Sequence, residues 1–117
     1  MSTKSAAAIV ADMLEAADAV REAIEGKSFA DFQRARLARL AVQRAIEIIS
    51  EAARRLPDDV IDRHPTIDWR GLKAIGNVLR HHYHSVSDKV VWDAVHLDLP
   101  PLVQVLLHEQ EHGSGKT

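Results

Sequence analysis

Apolar residues recur at helical spacing along nearly the whole chain. Ile9, Met13, Ala16, Val20 and Ile24 mark the buried face of a first helix over residues 5–25, which Gly26 closes. Ser28 suits the N-cap of the next helix, and Asp31 occupies the capping-box position. That helix runs over 29–56 without Gly or Pro, its stripe formed by Phe29, Phe32, Leu37, Leu40, Ile46, Ile49 and Ala53. The phase drifts over 36–41, where a kink or short break is expected. Pro57 stops the helix and a single turn follows over 59–63; Pro65 then disfavours helix at His64. Asp68 caps a third long helix over 69–83, with Leu72, Ile75, Leu79 and Val86 on the core side. Ser87-Asp88 marks another break before a helix over 89–96. Asp98-Leu99-Pro100-Pro101 reads as a second stop and the start of a last helix through 111.

Short connections between long helices predict antiparallel neighbours: an all-α, up-and-down bundle of four to five helices in one domain, 1–112, with a polar, frayed tail over 113–117. At 1.5 Å per residue the two longest helices would reach roughly 30 and 40 Å. A bundle that narrow leaves an apolar seam, so a homodimer is expected.

Composition agrees. The apolar content comes mainly from Ala, Leu, Ile and Val, and the 117 residues include only 5 Gly and 4 Pro. A net charge of −2 gives no global basic field, so nucleic acid would have to be bound by a local patch. The absence of Cys excludes disulfides and thiolate chemistry and fits a cytoplasmic location. Asp12, Glu15 and Asp18 interrupt the first apolar segment, which does not read as a signal peptide. No stretch reads as long enough to span a membrane.

Candidate chemistry is concentrated in Gly76-Asn77-Val78-Leu79-Arg80-His81-His82-Tyr83-His84. On a helix, Asn77, Arg80, His81 and His84 form one polar stripe, with Lys73 a turn upstream. An imidazole exchanges protons near neutral pH, and a guanidinium offers a permanent charge shaped for phosphate oxygens. Arg80 and His81 together suit phosphodiester cleavage: the imidazole deprotonates a ribose 2′-hydroxyl while the guanidinium stabilises charge on the phosphoryl oxygens. Such chemistry needs no metal or other cofactor, and it cuts RNA but not DNA.

Other readings compete. His81 and His84 could share a metal with His64 or His108, but no Cys and no acid within the run completes a site, so no metal is expected. His81 could instead bond a buried carbonyl while its neighbours face water. His82 reads as a packing or surface residue, and His96, His108 and His112 need no function. Trp69 and Trp92 read as core anchors rather than base-stacking platforms. Arg34, Arg36, Arg39 and Arg44 form either a solvated face or a phosphate-contacting surface. Glu51 and Arg55 are a favourable helix pair, and Glu51 could also orient a His or Arg of a neighbouring helix.

Several ordered strings carry a family resemblance. They are Ser28-Phe29-x-x-Phe32, Ala41-Val42-x-Arg44-Ala45-Ile46-Glu47-Ile48-Ile49-Ser50-Glu51-Ala52, Pro65-x-Ile67-x-Trp69-Arg70, Gly76-Asn77, His81-x-Tyr83, Trp92 and Asp98-Leu99-Pro100-x-Leu102. Over residues 28–106 the chain resembles the HepT-like toxins of the HEPN superfamily, whose partner antitoxin resembles a minimal nucleotidyltransferase. The resemblance implies a dimerising helical bundle in which the polar motifs of two copies face a shared cleft. It also implies a metal-independent endoribonuclease with a motif of arginine, four to six residues, then His-x-Tyr. His81 and Tyr83 match the end of that motif; Tyr83 would be the tyrosine to which the antitoxin adds AMP. The position that usually holds the motif arginine is Gly76. Arg80 is the nearest substitute, with Arg70 and Lys73 as further candidates for the missing charge.

Three readings follow: an RNA-cutting toxin using Arg80, His81 and Tyr83; a non-catalytic subunit that binds a nucleotidyltransferase; or a structural bundle with an incidental histidine run.

Overall fold

Ser5 starts the first helix from outside it: its hydroxyl accepts the Ala8 N–H at 3.1 Å. In the computed structural model, which describes residues 4–112 and only the backbone of Tyr83, α1 (Ala6–Ile24) follows directly. The expected tail over 113–117 lies outside the described residues. α1 buries Ile9, Val10, Met13, Ala16, Ala17 and Val20, and the chain leaves it through Gly26 at φ 72°, where a side chain would be strained.

The capping box at Ser28 forms as the sequence implies. The Ser28 hydroxyl accepts the Asp31 N–H and the Asp31 carboxylate accepts the Ser28 N–H, each at 3.1 Å. The bond from the Ser28 backbone holds the Asp31 carboxyl below its ordinary range.

The expected helix over 29–56 is two helices, α2 (Phe29–Arg34) and α3 (Arg36–Ala53), separated at Ala35. There φ and ψ are −94° and 85°, and the Ala35 N–H closes a short turn onto the Phe32 carbonyl. This break corrects the apolar stripe. Leu37 and Leu40, expected in the core, are 77% and 47% exposed, while Val42 and Ala45 are buried instead. Re-aiming the chain at Ala35 also lets Phe32 pack against Trp92, with ring centroids 5.3 Å apart.

α4 (Asp58–Arg63) and α5 (Trp69–His82) follow, and α5 tightens into a 3-10 turn at Tyr83–Ser85. Asp68 caps α5 by accepting the Gly71 N–H at 2.9 Å. The Ser87 hydroxyl caps α6 (Asp88–Asp93).

The second stop expected at 98–101 is absent. α6, a π turn at Ala94–Asp98 and α7 (Leu99–His112) form one rod of 25 residues, Asp88–His112. In the wide turn the Leu99 N–H reaches back to the Ala94 carbonyl. Pro100 and Pro101 lack N–H groups and their rings crowd carbonyls four residues back; a widened turn relieves that conflict without ending the helix. The merged rod is long and apolar enough to cross a membrane by length and composition, which corrects the expectation that no stretch would be. In the bundle it buries Val91, Val95, Leu102 and Leu106.

α3 lies between α1 and α5, and α1 also packs along α7, giving an all-α bundle of 45 × 29 × 28 Å. Both tryptophans serve the interior. Trp69 is buried and donates its indole N–H to the His64 carbonyl at 3.0 Å, and Trp92 covers Phe29 and Phe32.

A buried carboxylate ties α4 to α7. Glu109, 7% exposed, accepts two bonds from Arg63 at 2.8 and 3.1 Å and one from the His64 Nε2–H at 2.6 Å. The Arg63 guanidinium, then His64, hold its carboxyl down at about 2 despite burial. Among the described residues no three His, Asp or Glu side chains converge as a metal site.

Candidate active site on the α3–α5 face

Helix α5 turns its apolar side, Trp69, Leu72, Ile75, Gly76 and Leu79, toward the bundle. Asn77, Arg80, His81, His82 and His84 are consequently exposed along the other side and at its C-terminal end. The His81 ring is not sealed in the interior, so it is open to substrate. His82 is a surface residue whose ring lies 6.4 Å from that of His81.

Arg80 reaches the neighbouring helix, where its Nη1 donates to Glu51 Oε1 at 3.5 Å. Glu51 also faces Arg54 and Arg55 of its own helix at 3.9 and 3.6 Å. One carboxylate is thus shared by three guanidinium groups, from two helices, at distances longer than the 2.7–2.9 Å or so of a tight charge-assisted bond.

The close approach of α3 to α5 explains the glycine in the motif. A Cβ at position 76 would overlap Cβ and Oγ of Ser50. An arginine there is therefore incompatible with this helix spacing. A turn later, Arg80 is free of that contact and still on the side that meets α3. The same crossing is fastened by polar bonds: the Lys73 carbonyl accepts from Ser50 Oγ at 3.1 Å and from Arg54 Nη2 at 3.2 Å.

The remaining candidates are spread along α5. Lys73 is half-buried and Arg70 exposed near the helix start. At 1.5 Å per residue they stand roughly 12 and 16 Å from His81 along the axis, so they suit phosphates further along a strand rather than the same one. The Tyr83 side chain lies outside the described residues. Of the other basic cluster, Arg34 and Arg44 pair with Asp31 and Glu47 as a solvated face does, while Arg39 is half-buried and lies 3.9 Å from Asp88 of α6.

Sequence reasoning did not find Ser50 or Arg54 as fasteners of the crossing. Its one available signal was an isolated glycine inside a helical pattern, which marks close backbone approach.

Comparison with known families places the whole chain. A family model described as "Ribonuclease HepT-like" matches residues 13–108. The chain belongs to the HepT-like ribonuclease family. Among HepT-like relatives, it is 36% identical over 91 residues to a protein of Thermococcus cleftensis named a probable ribonuclease HepT, covering 78% of this chain and 83% of that one. It is 30% identical over 95 residues to a Methanocaldococcus jannaschii protein provisionally named an RNase, covering 81% and 78%. A second such protein of that organism is 31% identical over 102 residues, 87% of this chain and 94% of that one. No solved structure matches the chain. Membership supports an RNase-type activity for this HepT-like chain, with the stripe of α5 as the candidate site.

Proposed function

We propose that this HepT-like chain is the toxin of a toxin–antitoxin pair, a metal-independent endoribonuclease that works as a homodimer. The observation that carries the reading is the exposed stripe of α5, in which His81 is open to solvent and Arg80 lies 3.5 Å from Glu51 across the helix crossing. His81 takes the proton of a ribose 2′-hydroxyl, whose oxygen attacks the adjacent phosphorus. Arg80 stabilises the charge that builds on the phosphoryl oxygens. The bond to the 5′-oxygen breaks, leaving a 2′,3′-cyclic phosphate, and a second imidazole in the dimer cleft protonates the departing oxygen. Asn77 and His84 contact the same nucleotide; Lys73 and Arg70 hold phosphates further along the strand. A nucleotidyltransferase antitoxin silences the enzyme by adding AMP to Tyr83, which sets phosphate where substrate phosphate should lie.

The expected result is RNA cleavage without added divalent metal, unaffected by EDTA, and lost in His81→Ala. EDTA-sensitive cleavage, or equal cleavage by His81→Ala, refutes the mechanism. Co-expression with the transferase should raise the mass of the chain by whole AMP units, and Tyr83→Phe should prevent it.

A second reading is favoured by the overlap between position 76 and Ser50, which bars the usual motif arginine. On that reading the chain is a catalytically weak subunit that binds the transferase. A stable complex without RNA loss would distinguish it.

A further inference from the structure

The nuclease reading uses one of the guanidinium groups at Glu51 and leaves Arg55 unexplained. Arg55 is 56% exposed, and its link to Glu51 is loose at 3.6 Å. Arg54 is different: it is fastened to the Lys73 carbonyl. With Arg80 added, two guanidinium groups with no other fastening face one carboxylate, an excess of one positive charge that an anion would relieve. Arg55, Glu51, Arg80 and the bare face of Gly76 also line one open groove of about 740 Å³ between α1, α3 and α5. Elsewhere in the lining Lys4 pairs with Asp12 and Arg44 with Glu47, and Glu15 adds a negative charge on α1. A polyanion in the groove is therefore held to the part of the α3–α5 wall that carries Arg55 and Arg80.

We propose that Arg55 is a phosphate-contacting residue for a single-stranded RNA backbone lying in this groove, with Glu51 as the counter-ion that the phosphate displaces. The site deepens the nuclease reading and rests on it only for the identity of the polyanion. Because position 76 cannot carry a cation, α3 supplies one from Arg55, across the groove from Arg80. Glu51 then has two effects: it orients Arg80 and competes with phosphate for both arginines.

The test separates binding from cutting. Binding of a fluorescent single-stranded RNA is measured across a salt series in the His81→Ala background, and cleavage kinetics in the otherwise unchanged chain. Arg55→Ala should lower the slope of log affinity against log salt by about 0.7, the value for one lost contact to a single strand. It should raise KM several-fold with kcat kept, and Arg55→Lys should restore most of the slope. Glu51→Gln should tighten RNA while lowering kcat, which a merely structural carboxylate would not do. An unchanged slope and KM in Arg55→Ala overturns the inference. So does an Arg55→Lys variant as impaired as Arg55→Ala. RNA bound with the predicted slope loss but never cut supports this site and overturns the nuclease mechanism. No RNA binding at all overturns both.

Discussion

Replacing Glu109 by glutamine keeps the shape of the side chain and removes the charge that joins α4 to α7. The carboxylate is 7% exposed and takes two bonds from Arg63 and one from His64. Its pKa lies at about 2, against an ordinary 4.5. That difference corresponds to about 3 kcal/mol at 1.36 kcal/mol per unit. The Arg63 side chain is 49% exposed, and water screening lowers the expected loss to about 2 kcal/mol. A glutamine amide would also point an N–H at a donor. In a chain of this length, about 2 kcal/mol should lower Tm by roughly 6–12 °C. The sign with pH follows from the depressed pKa: the stabilisation is complete above the unfolded value and is lost as pH falls through the folded one. Urea denaturation at pH 7, 5, 4 and 3 should therefore show the difference between Glu109→Gln and the parent shrinking to less than half by pH 3. A difference below about 0.5 kcal/mol at pH 7, the size of an ordinary surface change, refutes the reasoning. So does a difference that stays constant down to pH 3.

Other outcomes test other elements. Gly76→Ala should destabilise by about 1–3 kcal/mol through overlap with Ser50, despite the better helix propensity of alanine; a raised Tm would contradict the close crossing. Ser28→Ala should cost about 1 kcal/mol by removing the capping box, read as a shift in urea midpoint. Leu37→Ser should leave the stability of the single chain within about 0.5 kcal/mol, because the residue is outside the core; a larger loss in dilute monomer would show that it is packed.

Much of the fold could be read from periodicity because α1 and α5 are amphipathic and bounded by local caps at Ser5, Gly26 and Asp68. The errors arose where two local rules competed. An unbroken pattern suggested one helix over 29–56, but packing of Phe32 under Trp92 goes with a break at Ala35, and the phase error put Leu37 and Leu40 inside. The pair Pro100-Pro101 suggested a stop, yet a π turn carries the helix through. At the site, the exposed stripe followed from spacing alone. The link from Arg80 to Glu51 spans 29 residues and that from His64 to Glu109 spans 45, so no local pattern could reveal them.

The bare position at the helix crossing also constrains how this protein can evolve. A lineage gaining an arginine at 76 by a single codon change would drive two backbones apart before any catalytic benefit appeared. Residue 50 would have to shrink first, releasing its hold on the Lys73 carbonyl. Homologues that do carry the arginine should therefore show a smaller residue opposite it or a wider interhelical gap, and the two positions should change together.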